Sequence, residues 1–127
     1  MLLKNNSMNY TKTIAVSELS EGTQKAVTVA GQDVALFHHG GKITAISGIC
    51  PHQGGPLAEG KVERGADGVL RVACPWHGWQ FDIATGNMPL ELGVRQAVHE
   101  VKIQDGFIFV SDTPSVPAVL PPKRDDL

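Results

Sequence analysis

Two short runs of this 127-residue chain each set a sulfur beside an imidazole: "ICPHQGGPLAEG" at 49–60 and "ACPWHGWQFD" at 73–82. Cys50 precedes His52 by two positions, and Cys74 precedes His77 by three. Taken singly, a buried cysteine acts as a small hydrophobe and a histidine as a surface or hydrogen-bonded group. Taken together, both pairs start with Cys-Pro and both reach a glycine soon after the histidine, and the chain has only two cysteines. Joint metal ligation uses all four. In a reducing compartment a structural disulfide is a poor use for two such cysteines, which leaves metal binding or redox chemistry. One zinc ion could take two sulfurs and two nitrogens in a tetrahedron. Zinc-finger order, however, puts both cysteines first and then two helical histidines about three to five residues apart. Here each loop supplies one of each and neither reads as a helix, so a pair of metals, sulfurs on one and nitrogens on the other, is the second arrangement allowed.

The elements that hold these loops read as short strands. "KTIAV" (12–16), "KAVTVA" (25–30), "DVALFH" (33–38) and "KITAIS" (42–47) alternate or run apolar, and glycines at 22, 31, 40 and 41 separate them. "AGQD" and "HHGGK" have the composition of hairpin turns. "SELSEG" (17–22) suits one helical turn, and "VERGADGVL" (62–70) a small hairpin between the two loops. "WQFDI" (79–83) ends at the turn "ATGN", and "QAVHEVKI" with "GFIFVS" makes a last hairpin around Gln104-Asp105-Gly106. The expected fold is an antiparallel all-β domain over 11–111, with the loop-bearing segment, about 48–90, inserted as a subdomain. Residues 1–10 are expected to be a flexible leader, and 112–127 a Pro-rich tail that lies extended on the surface or is disordered.

Composition agrees with one domain: 42% hydrophobic, 19% charged, 14 glycines, 8 prolines and a net charge of −2. The balance gives no footprint for nucleic acid or an anionic membrane. No apolar run is long enough for a membrane span, and the N-terminus lacks a secretory core, so a cytoplasmic protein is expected. A Ser/His/Asp set, a phosphate loop and a dinucleotide fingerprint are all missing, which removes the usual enzymatic readings.

"CPHQGGPL" and "CPWHGWQFDIATG" resemble the paired C-x-H and C-x-x-H motifs of Rieske [2Fe–2S] proteins, and the likeness extends over roughly 11–111. The resemblance implies a β-sandwich base with an inserted rubredoxin-like cluster-binding subdomain. It implies one cluster per chain, with Cys50 and Cys74 on one iron and His52 and His77 on the other through Nδ1. Gly54, Gly55 and Gly78 would let backbone N–H groups approach the cluster sulfurs, and Pro51, Pro56 and Pro75 would stiffen the loops. Pro89 would reach the cluster from a third loop. Trp76 and Trp79 would pack and exclude solvent, with Phe81 in the subdomain core. His38, His39 and His99 stay outside the ligand set.

Subtype follows from what the motifs lack. High-potential members carry an extra cysteine in each loop, joined as a disulfide; Gly55 or its neighbour and Trp76 stand at those positions. Their serine and tyrosine donors are replaced by Trp79 and Phe81. Fewer donors to the sulfurs imply a potential toward the low end of the Rieske range, about −150 mV. The closest likeness is to soluble ferredoxins that pass single electrons from a flavoprotein reductase to a terminal oxygenase. The alternatives are the small subunit of an assimilatory nitrite reductase, which would serve a large nitrite reductase subunit, and a zinc-stabilised binding module. On this reading, Cys74→Ser and His52→Cys each abolish or change the visible absorption of the cluster. His38→Ala leaves that spectrum as in the parent protein.

Overall fold

The computed structural model describes residues 9–51, 54–76, 78–89 and 93–120. Among the described residues, ten strands form three antiparallel sheets. The first sheet joins β1 (Tyr10–Ala15), β10 (Phe107–Ser111) and β9 (Val101–Gln104), in that order. The second is β2 (Thr23–Val29), β3 (Gln32–His39), β4 (Lys42–Ser47) and β8 (Val98–His99). The third is β5 (Lys61–Arg64), β6 (Leu70–Ala73) and β7 (Gln80–Asp82). It is built wholly from chain lying between β4 and β8. The antiparallel all-β class expected from the sequence is the class observed.

Three hairpins set the register by the same means. Ala30-Gly31, Gly40-Gly41 and Asp105-Gly106 are two-residue loops with positive φ at both positions. That geometry matches the right-handed twist of the strands they join. "SELSEG" supplies less helix than expected, a single 3-10 turn at Val16–Glu18. A second such turn, Leu57–Glu59, follows the first cysteine loop.

β3 is the centre of the molecule. Val34, Ala35, Leu36 and Phe37 are all fully buried, although neighbours in a strand point to opposite faces. Val34 and Leu36 pack with Leu19, Val29, Ala45, Ile108 and Val110, toward the first sheet. Ala35 and Phe37 pack with Ile46, Leu57, Val72 and Phe81, toward the third sheet and both cysteines. A strand covered on both sides reads as a continuous apolar run, as "VALF" does. The middle sheet is thus the wall on which the metal-loop side is built.

The expected strand "QAVHEVKI" divides. Val98 and His99 pair with Ile46 and Ala45 of β4, whereas Val101 onward pairs with β10. The chain changes sheets at Glu100, whose N–H donates to Ser111 Oγ at 2.9 Å. Beyond Ser111 the chain runs back along this crossover. Val98 N–H donates to Val116 O at 2.9 Å, and Arg95 and Val119 exchange both backbone bonds, each 2.9 Å. The expected leader falls largely outside the described residues (1–8), as does the end of the tail (121–127).

Phe37→Ala removes the largest fully buried side chain on the cysteine side of β3. It is expected to lower unfolding free energy by about 3–5 kcal/mol, measured by urea denaturation.

Candidate metal centre

Two loops carry the cysteines. The first leaves β4 and is fastened to β3 by Gly48 N–H donating to Asp33 O at 2.9 Å; Leu57 N–H returns to Gly48 O, also 2.9 Å. The second is the connection from β6 to β7. Each closes by the same pair of backbone bonds. Cys50 N–H donates to Gly55 O (2.9 Å) and Gly54 N–H to Cys50 O (2.8 Å). Cys74 N–H donates to Trp79 O (2.7 Å) and Gly78 N–H to Cys74 O (2.9 Å). Counting from each cysteine, the fourth residue is a glycine at φ near +80° (Gly54 +80°, Gly78 +78°) that turns the chain back. The histidines occupy the second position of one loop and the third of the other, so unequal spacing in sequence sits within equivalent turns.

Both thiols are interior. Cys50 and Cys74 are 2% and 3% exposed, belong to one apolar cluster with Leu57, Val72, Phe81 and Ile83, and form no disulfide. Gly55 stands at the junction of the loops: a Cβ there would lie 2.6 Å from Cys74 Sγ and 3.1 Å from Trp76 Cγ. This resolves which residue of the first loop faces Trp76; it is Gly55. The Gly54 and Gly78 amides, expected near sulfur, are committed to the cysteine carbonyls, because these bonds close the turns. His52 and His77 lie outside the described residues. The residues around them, Gly54, Trp76 and Gly78, are exposed.

The other histidines have other partners. His38 Nδ1–H donates to Leu19 O at 2.7 Å, with Nε2 3.4 Å from Glu21 Oε1. His39 Nε2–H donates to Gln24 Oε1 at 3.0 Å, and burial, partly offset by Glu21, pushes its imidazole below the usual value. Gln24 in turn donates to Gly60 O at 2.6 Å, tying the middle sheet to the start of the third. His99 is buried in the base, its Nδ1–H donating to Ser111 O at 2.7 Å. Pro89 is half-buried and Phe81 fully buried.

A residue that the sequence did not single out supports the first loop. Gln96 is 1% exposed, and its side-chain amide donates to Ile49 O at 2.7 Å and Ser47 O at 3.1 Å. Its own N–H donates to Gly86 O at 2.8 Å. It therefore holds the peptide that enters Cys50 against the turn following β7. No local pattern marks it, because its partners are more than forty residues away.

Two buried sulfurs from equivalent turns, with Gly55 of the first loop lying against Cys74 Sγ of the second, suit a sulfur-ligated iron. The Rieske [2Fe–2S] domain model matches residues 9–101. The chain belongs to the Rieske [2Fe–2S] domain family. Its cofactor is accordingly a [2Fe–2S] cluster, and it is a Rieske-type electron carrier. The chain is 32% identical over 107 residues to the ferredoxin component of the alkene monooxygenase system of Xanthobacter autotrophicus, spanning 84% of each chain. It is 35% identical over 97 residues to human Apoptosis-inducing factor 3, covering 75% of this chain but 15% of that longer protein. Among solved structures it overlays a chain in the complex of reduced oxygenase and oxidised ferredoxin of carbazole 1,9a-dioxygenase, with TM-score 0.73 and 26% identity. That overlay covers 87% of this chain and 99% of the other. A nitrite reductase small subunit from Mycobacterium tuberculosis gives TM-score 0.77 at 23% identity, over 85% and 98%, a likeness of fold.

Replacing Gln96 by leucine keeps the volume but leaves the Ser47 and Ile49 carbonyls without their side-chain donor. A loss of about 1–3 kcal/mol in urea denaturation is expected, against less for Gln96→Glu assayed at acid pH, where a protonated carboxyl can donate.

Proposed function

We propose that the chain is the ferredoxin component of an oxygenase system, carrying one electron at a time from a flavoprotein reductase to a terminal oxygenase. The observation that carries this reading is the match to the Xanthobacter ferredoxin component, a protein paired with this one over most of both lengths. Cys50 and Cys74 are the ligands of one iron, and His52 and His77 of the other. A bound [2Fe–2S] cluster accepts and returns a single electron.

The described residues support a division of labour around that site. Burial of Cys50 and Cys74 keeps water from the sulfur end. Exposure of Gly54, Trp76 and Gly78 leaves the ends of the loops, where both histidines occur, open to a partner. Loops closed on themselves by backbone bonds, with Pro51 and Pro75 directly after the cysteines, resist movement as charge changes. The reading places the chain in the cytoplasm beside its partners. Among the described residues no helix is long and apolar enough to cross a membrane.

The purified chain is expected to be red-brown, with iron and acid-labile sulfide in equal amounts and a rhombic EPR signal on reduction. Colourless protein with stoichiometric zinc would overturn the cluster assignment. With the cluster present, mixing with a flavoprotein reductase and an oxygenase should support substrate oxidation that stops when the chain is left out. Co-purification with a large nitrite reductase subunit, and no transfer to an oxygenase, would move the assignment to the nitrite reductase reading.

A further inference from the structure

The two cysteine loops close their turns separately, and their junction is a contact between a glycine and an indole. The Gly55 backbone lies against both Cys74 Sγ and the Cγ–Cδ2 edge of Trp76, near enough that a single added carbon would stand 2.6 Å from the sulfur and 3.1 and 3.2 Å from the ring. Trp76 belongs to the second loop, directly before His77, yet it rests on the first loop. Trp76 as a whole is 55% exposed, so part of it is covered, while Cys74 behind the same glycine is 3% exposed. The space a Cβ would need at Gly55 is taken first by Cys74 Sγ and next by the indole edge, so the first loop meets the second through both.

We propose that Trp76 and Gly55 form a non-covalent clamp that fixes the separation of the two sulfur-bearing loops, making Trp76 a positioning residue for the cluster. The proposal rests on the cluster assignment above. The flat ring supplies dispersion contact to the Gly55 peptide across the junction, and the missing Cβ lets the loops approach to the distance the sulfurs require. Loosening the contact lets the loops separate, and iron is lost faster though all four ligands remain. Filling the glycine position from the other side has the same outcome.

The test uses the full cluster-loaded chain and three variants, Trp76→Ala, Trp76→Phe and Gly55→Ala. Release of iron to an excess of a coloured chelator is followed optically, and the EPR line shape of the reduced protein is recorded. Loss of the ring contact is expected to speed iron release in Trp76→Ala by about fivefold or more. Gly55→Ala should behave alike, whereas Trp76→Phe, which keeps a flat ring, stays within about twofold of the parent. The altered variants should also show shifted g-values, which loss of overall stability would not produce, and far-UV circular dichroism should be unchanged. Iron release from Trp76→Ala at the parent rate overturns the clamp. So does release from Trp76→Phe as fast as from Trp76→Ala, or an effect of Trp76→Ala confined to the KM for a redox partner. Should the parent chain bind zinc and no iron, the cluster assignment fails first, and that outcome is separate. In that case Trp76 emission in a Trp79→Phe background still reports the clamp, since Gly55→Ala should increase its quenching by acrylamide, and no increase refutes it.

Discussion

A charged sulfur inside an apolar core is unstable unless a positive partner lies against it. Cys50 and Cys74 are set among leucine, valine, isoleucine and phenylalanine side chains. On the proposed ligand assignment, iron supplies the compensating charge, so burial and metal binding depend on each other. The rest of the molecule keeps the two sulfurs inside, while Gly54, Trp76 and Gly78 at the ends of the same loops are exposed. The third sheet and the Leu57–Glu59 turn enclose the sulfur side, and the loops pass outward from it.

The middle sheet makes this arrangement possible because it has no solvent face along the centre of β3. Its residues alternate between two apolar layers, one toward the first sheet and one toward the cysteines. A change in Ala35 or Phe37 therefore bears on the metal side, and a change in Val34 or Leu36 on the base. Gln96 and Gln24 add polar ties across the same wall, one to the first cysteine loop and one to the start of β5. Each is an amide satisfying carbonyls that the sheets leave unpaired, which is why their positions carry more than their exposure suggests.

Local chemistry was legible in the sequence and long-range geometry was not. The turns at Ala30-Gly31, Gly40-Gly41 and Asp105-Gly106 announced themselves by composition, because a two-residue hairpin loop requires positive φ. The paired Cys/His spacing pointed to the family whose domain model matches the chain, and the strand periods to an all-β class. The division of "QAVHEVKI" between two sheets left no trace, since Glu100 at the crossover interrupts neither alternation nor polarity in a distinctive way. The contact of Trp76 with Gly55 was equally hidden: the residues were noted separately, and nothing in their spacing required them to touch. The stretch after Ser111 read as a surface tail, extended or disordered, and its backbone bonds to Arg95 and Val98 depend on a crossover the sequence did not disclose.

Strand β1 pairs with β10, so Tyr10 is matched with Ser111 and Lys12 with Phe109. A pairing between such distant parts of the chain has a high loop-closure entropy and comes late in folding, whereas the β2–β3–β4 meander is assembled from neighbours. The meander and the first cysteine loop leave the ribosome well before the strand that completes the base. During synthesis the first cysteine loop consequently meets the cell while one side of its supporting wall is still bare. The order in which iron arrives and the base closes is thus a kinetic contest written into the topology.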